Sequence, residues 1–173
     1  MATVAFVIAP EQFHDTELNT PRTLLQEAGH TVSVFSTQTG VAVGMYGYEE
    51  SVTQTLESLE VVAFDALVVV GGYGAVQHLW ACEPLHTLVQ QAVQAQRVTA
   101  AICVSPMVLA NAGILAGKQA TIWEPGMPEN RSTLEALGAA FTGEAVTVDG
   151  LIITANSPDS ATAFGHALVQ ALA

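Results

Sequence analysis

At 173 residues the chain is long enough to bury one substantial core, and a single domain over residues 1–173 is expected. Four lysines and arginines stand against sixteen aspartates and glutamates; the net charge of −12 excludes nucleic acid, anionic membranes and polyphosphates as natural partners. Only 12% of residues are charged, against roughly a quarter in ordinary globular chains, so an apolar face is expected to be hidden in a homo-oligomer, a homodimer in the first instance.

Thr3 to Ala9 is an apolar run of strand length closed by Pro10. A polar loop containing His14 then leads to Glu17 and a helix to Gly29, with Leu18, Leu24, Leu25 and Ala28 on its inner face. Pro21 cannot donate to the carbonyl of residue 17, so the first turn should be bent or loosened. A strand follows at Thr31–Ser36, and the glycines between Val41 and Val52 suggest a short hairpin. Ala66–Val70 reads as a buried strand ended by Gly71-Gly72, with helices over Ala75–Trp80 and Pro84–Gln96. Val98–Ile102 is a short uncharged strand, Cys103 a corner, and Ser105-Pro106 the cap and first turn of a helix that stops before Gly113. The remaining expectations are a strand at Ala120–Trp123, a helix over Arg131–Leu137, paired strands at Ala145–Val148 and Leu151–Thr154, and a last helix capped by Ser157. Strands alternating with helices mean an α/β sandwich with a mostly parallel sheet.

Open sheets of this kind bind ligands beyond the carboxyl ends of their strands. Those ends carry the Glu17 loop, Gly71-Gly72, Cys103, Trp123-Glu124 and Asn156. Cys103 is flanked two positions away by Ala101 and Ser105, the small residues that a nucleophile elbow needs where the chain doubles back. A thiol before a helix N-terminus faces free amides, which favours thiolate. The competing reading is a small buried hydrophobe at a strand–helix junction. Glu17 beside a thiolate could stay protonated and move protons as acid or base, although a carboxylate at a helix start is more often simply solvated. Gly72 and Val104 could offer backbone amides to an oxyanion. His14, Gly71, Trp123 and Glu124 are further candidates for substrate contact.

Gly72-Tyr-Gly74 lacks the third small residue and the distant acid of a dinucleotide fingerprint. None of the five histidines shows metal-ligand spacing, and His78 has only a modest claim on the rim. No cofactor and no metal are therefore expected. Val98–Gly117 is uncharged over twenty residues, but the change from strand to helix explains it better than a membrane span. Without a visible leader peptide a cytoplasmic location is expected, and the two cysteines, Cys82 and Cys103, are expected to be free thiols.

Four segments in order resemble the ThiJ/PfpI (DJ-one) superfamily: Glu17-Leu-Asn-Thr-Pro21; Phe64 to Gly72; Ala101 to Pro106 with Ala112 to Lys118; and Val148 to Asn156 with the last helix. The resemblance covers nearly the whole chain. It implies a flavodoxin-like three-layer fold related to class I glutamine amidotransferases, Cys103 as nucleophile, Glu17 as its carboxylic partner, and the Gly72 and Val104 amides as oxyanion site. Val104 stands where the protease-like branch has histidine, which leaves a peptidase without an evident base. Trp123-Glu124-Pro125 stands where another branch has a histidine, so proton transfer would fall to Glu17, Glu124 or His14. The leading expectation is glyoxalase or deglycase action on small reactive carbonyls. The alternatives are a redox-sensing stress protein with an oxidisable Cys103, an amidase or hydratase, and an interaction module with an inert thiol.

Overall fold

A computed structural model describes residues 1–173. Its strands are β1 (Thr3–Val7), β2 (Thr31–Ser36), β3 (Gly40–Val43), β4 (Glu49–Val52), β5 (Gln54–Thr55), β6 (Ala66–Val69), β7 (Val98–Ile102), β8 (Gln119–Ala120), β9 (Ala140–Phe141), β10 (Val146–Asp149) and β11 (Ile152–Ala155). The helices are α1 (Asp15–Glu27), α2 (Tyr73–His78), α3 (Glu83–Gln94), α4 (Pro106–Asn111), α5 (Glu129–Ala136) and α6 (Ala161–Ala171). The main sheet has seven strands in the order β10-β11-β7-β6-β1-β2-β5, all parallel except the β10–β11 hairpin.

The central strands are buried on both faces, which is why they read as unbroken apolar runs: every residue of β6 and β7 is buried. Helices α1 and α6 lie together on one face, whereas α3 and α4 cover β6 and β7 on the other. The α1 and α6 helices crowd together at Gly165, where a Cβ would meet Leu24 Cδ1 at 2.6 Å and Pro21 Cα at 3.1 Å. Phe6, Phe13, Phe35 and Phe164 are completely buried, each contributing about 1.5–3 kcal/mol through removal from water. No helix is long and apolar enough to cross a membrane.

The chain departs from its sequence reading in several places. α1 begins at Asp15 and runs on through Pro21, and Ala28 is exposed rather than inward. The strand expected at Ala120–Trp123 shrinks to the two residues of β8, which pair with the unforeseen β9 in a separate small sheet. Thr121 to Trp123 is instead drawn across the sheet end, its amides taken by Thr154 Oγ1 and the Cys103 carbonyl. Neither expected serine cap forms. Ser105 Oγ donates to the Val70 carbonyl at 2.7 Å, and Ser157 Oγ meets Ser160 Oγ at 3.0 Å. His30 and His86, half-buried, bond the Ala2 amide and the Trp80 carbonyl.

Candidate functional site

Sheet order reverses between β1 and β6, and the loops leaving β1, β6 and β7 meet at that switch point. β1 delivers His14 and the first turn of α1, β6 delivers Gly71-Gly72, and β7 delivers Cys103. The cysteine backbone adopts φ 64°, one of three non-glycine residues with positive φ. Its amide donates to the Ala155 carbonyl and its carbonyl accepts from the Trp123 amide, both at 2.8 Å, so the corner is held from both sides.

Glu17 is fully buried in the first turn of α1, not solvated at a helix start. Its Oε2 accepts from the Gly71 amide at 2.8 Å. Oε1 is sealed without a nitrogen or oxygen partner, leaving the Cys103 thiol as the carboxyl's remaining hydrogen-bond partner. Burial pushes the Glu17 pKa up to about 8, against the smaller opposing pulls of the Cys103 and Gly71 hydrogen bonds. With Oε2 committed as an acceptor, Oε1 is the oxygen left to carry the carboxyl proton.

Burial, and then the charge of Glu17, push the Cys103 thiol above its ordinary range, whereas the amides of Val104 and Gly72 at the sulfur favour its charged form. The thiolate expected from a helix N-terminus alone is therefore corrected: α4 has only six residues, and burial outweighs it. The two groups titrate as a pair, and repulsion between thiolate and carboxylate drives their proton losses apart. Once a single proton has left, the negative charge is shared by the pair: the Gly71 amide favours it on Glu17, and the Val104 and Gly72 amides, which donate to no other oxygen, favour it on sulfur.

A cavity of about 140 Å³ opens over the sulfur, lined by His14, Met45, Tyr46, Gly72, Tyr73, Cys103, Val104, Trp123, Met127 and Pro158. Gly71 does not line it. A Cβ there would stand 2.5 Å from Glu17 Oε2 and 2.8 Å from Cys103 Cβ, so this glycine is the spacer that lets acid and thiol close on each other. Trp123 is a wall of the cavity, but Glu124 is not. His78 pairs with Glu11 at 3.2 Å outside it. The imidazole in the cavity is that of His14, edge-on to Tyr46 at 5.3 Å between ring centroids. Burial lowers its pKa against the opposing charge of Asp15, which favours the neutral imidazole.

Two supporting residues escaped the sequence reading. Asn130, within a glycosylation-like tripeptide, is buried, and its Nδ2 donates to the Trp123 carbonyl at 2.8 Å. Asp15 accepts from the amides of Tyr46 and Tyr48 at 3.0 and 2.8 Å. Turn glycines at 44 and 47 were visible signals for the second contact; nothing in the sequence names its partner.

The DJ-1/PfpI family model matches residues 2–171. An uncharacterized protein of Methanocaldococcus jannaschii is 41% identical over 171 residues, covering 99% of this chain and 82% of its own. A protein of Pyrococcus abyssi named as a deglycase is 30% identical over 166 residues, covering 96% of this chain and 97% of its own. Among solved structures, a ThiJ/PfpI domain protein from Brachyspira murdochii superposes with a TM-score of 0.93 at 29% identity, covering 98% of this chain and 95% of that one. Drosophila melanogaster DJ-1beta superposes with a TM-score of 0.85 at 25% identity over 100% of this chain and 91% of its own. With the sheet order, the cysteine corner and the buried acid all in place, the chain belongs to the DJ-1/PfpI family.

Proposed function

We propose that the protein acts on small reactive carbonyl compounds through Cys103, by glyoxalase or deglycase chemistry, without a cofactor. One observation carries the reading: a sealed carboxyl against a thiol, beside two amides that have no other acceptor. On a 2-oxoaldehyde the sulfur adds to the aldehyde carbon and the carbonyl oxygen becomes an alkoxide between the Gly72 and Val104 amides. Glu17 gives that oxygen its proton, and its carboxylate then removes hydrogen from the same carbon. The proton returns to the neighbouring carbon while the hydroxyl proton passes to the neighbouring oxygen, leaving a thioester. Water cleaves the thioester to a 2-hydroxy acid and frees the sulfur. A deglycase would begin with the same attack, on a carbonyl already joined to an amine or thiol. Relatives named as deglycases, in Pyrococcus abyssi and Pyrococcus horikoshii, support the class at 30% identity.

Methylglyoxal consumption by the parent, by Cys103→Ser and by Cys82→Ser tests it. Loss in the first variant with retention in the second is expected, and full activity in Cys103→Ser refutes the proposal. A second reading has its own support in the Glu17 proton, which would equally donate to an oxygen carried on sulfur after attack by peroxide. In that case mild peroxide oxidises Cys103 ahead of the more exposed Cys82; equal oxidation of both thiols would exclude it.

A further inference from the structure

The outer wall of the cavity comes from a part of the chain that is not in the main sheet. Met45 and Tyr46 sit at the tip of the β3–β4 hairpin, a separate two-stranded ribbon. Tyr46 is 74% exposed, and the only ring against it is the edge of His14, so packing does not decide where it stands. Its place must come from its backbone.

That backbone is tied to α1. Tyr46 and Tyr48 direct their amides to the two oxygens of one side chain, Asp15 Oδ2 and Oδ1, and neither amide has another acceptor. Gly44 lies so close against the same carboxylate that a Cβ there would overlap it. Further back, Arg22 donates to Glu50 at 2.8 Å and to the Tyr48 hydroxyl at 2.9 Å, and the Met45 amide bonds the Phe13 carbonyl at 2.9 Å. The Met45 bond ties the near side of the tip to the loop before α1, and the Arg22 bonds hold the far strand. Asp15 alone takes the amides of Tyr46 and Tyr48. Asp15 is also two residues before Glu17 on the same helical turn, so the wall and the proton carrier share one rigid support.

We propose that Asp15 is a positioning residue which, by gripping the turn from Gly44 to Tyr48, fixes the width of the mouth over Cys103 and so restricts the site to small carbonyl compounds. The inference rests on Cys103 being a reactive thiol, not on the later steps of the reaction.

The test is size selection at the sulfur. The intact chain is treated with iodoacetamide or with an N-naphthyl iodoacetamide, and mass spectrometry gives the rates at Cys103 and, as an internal reference for general loosening, at Cys82. In the parent the bulky probe is expected to be disfavoured at Cys103 relative to Cys82. Asp15→Ala should raise the bulky-to-small ratio at Cys103 by about tenfold or more, the scale of steric discrimination in a fitted pocket, with the ratio at Cys82 unchanged. Asp15→Asn, which keeps one acceptor oxygen, should fall between. Gly44→Ala breaks the grip from the other side and should reproduce Asp15→Ala even where that variant folds poorly. Tyr46→Ala removes the wall itself and sets the upper limit. A ratio that moves in Tyr46→Ala but not in Asp15→Ala or Gly44→Ala overturns the role of Asp15, as does a ratio unmoved in all of them. A Cys103 inert to both probes overturns this inference and the reactive-thiol reading together.

Discussion

The two cysteines of the chain occupy superficially similar places. Cys82 is the N-cap of the twelve-residue α3 and Cys103 lies just before the six-residue α4. If helix ends made reactive thiols, Cys82 would be the better placed. What separates them is everything else: Cys82 has an ordinary φ of −78° and is half-buried, whereas Cys103 sits at φ 64° against a sealed carboxyl, two free amides and a cavity. The two thiols thus differ in their surrounding groups far more than in their position at a helix start.

The sharpest way to break that contrast is the serine pair already described, in which only Cys103→Ser should abolish turnover. Next in size is Glu17→Gln, which keeps the shape and the acceptor for Gly71 but cannot transfer a proton; turnover should fall about 10²- to 10⁴-fold, measured as kcat. The same variant separates the cysteines through stability. Because folding raises the Glu17 pKa from 4.5 to about 8, the folded chain holds this proton more tightly than the unfolded one. The resulting stabilisation is complete below pH 4.5 and is lost as pH rises through about 8, at up to about 1.4 kcal/mol per unit. Denaturant melts of parent and Glu17→Gln should therefore diverge across this window, with the parent the one that weakens; parallel curves would remove the proton from Oε1.

A smaller but more local effect is expected of Gly71→Ala. Its methyl would intrude between Glu17 and Cys103, costing about 1–3 kcal/mol by overpacking and parting the acid from the sulfur, read as lower stability together with lower kcat. The smallest effect is on charge selection. All four fixed cations are paired with carboxylates away from the cavity, Arg22 with Glu50, Arg97 with Asp65, Lys118 with Asp149 and Arg131 with Glu135. With a net charge of −12, Cys103 should prefer iodoacetamide to the equally small iodoacetate by about tenfold, a gap that salt narrows and that Cys82 shows less strongly.

Much of this site could be read from residue order. The uncharged run of β7 followed by Cys103 and Ser105-Pro106 announced both the buried strand and the turn into a helix, because period and proline placement are local signals. The family resemblance brought Glu17 to the sulfur; composition alone favoured a solvated carboxylate, since nothing local distinguishes a buried acid from an exposed one. Asp15, Asn130 and the β8–β9 pair were missed because their partners are backbone groups elsewhere in the chain. Glu124 and Gly71 were assigned to substrate because loops at strand ends share a rim, but which residues turn inward depends on packing that no neighbouring residue records.

The left-handed turn at Cys103 has a consequence for heat resistance. An L-residue in that region forfeits about 1–2 kcal/mol that glycine would not, so the chain carries a built-in torsional penalty where its sulfur sits. Cys103→Gly would release that torsion and offset what is lost with the side chain, giving an inactive protein that melts close to its parent. At this one position the strain of the backbone and the packing of the side chain therefore nearly cancel, so replacing the sulfur should change heat resistance little.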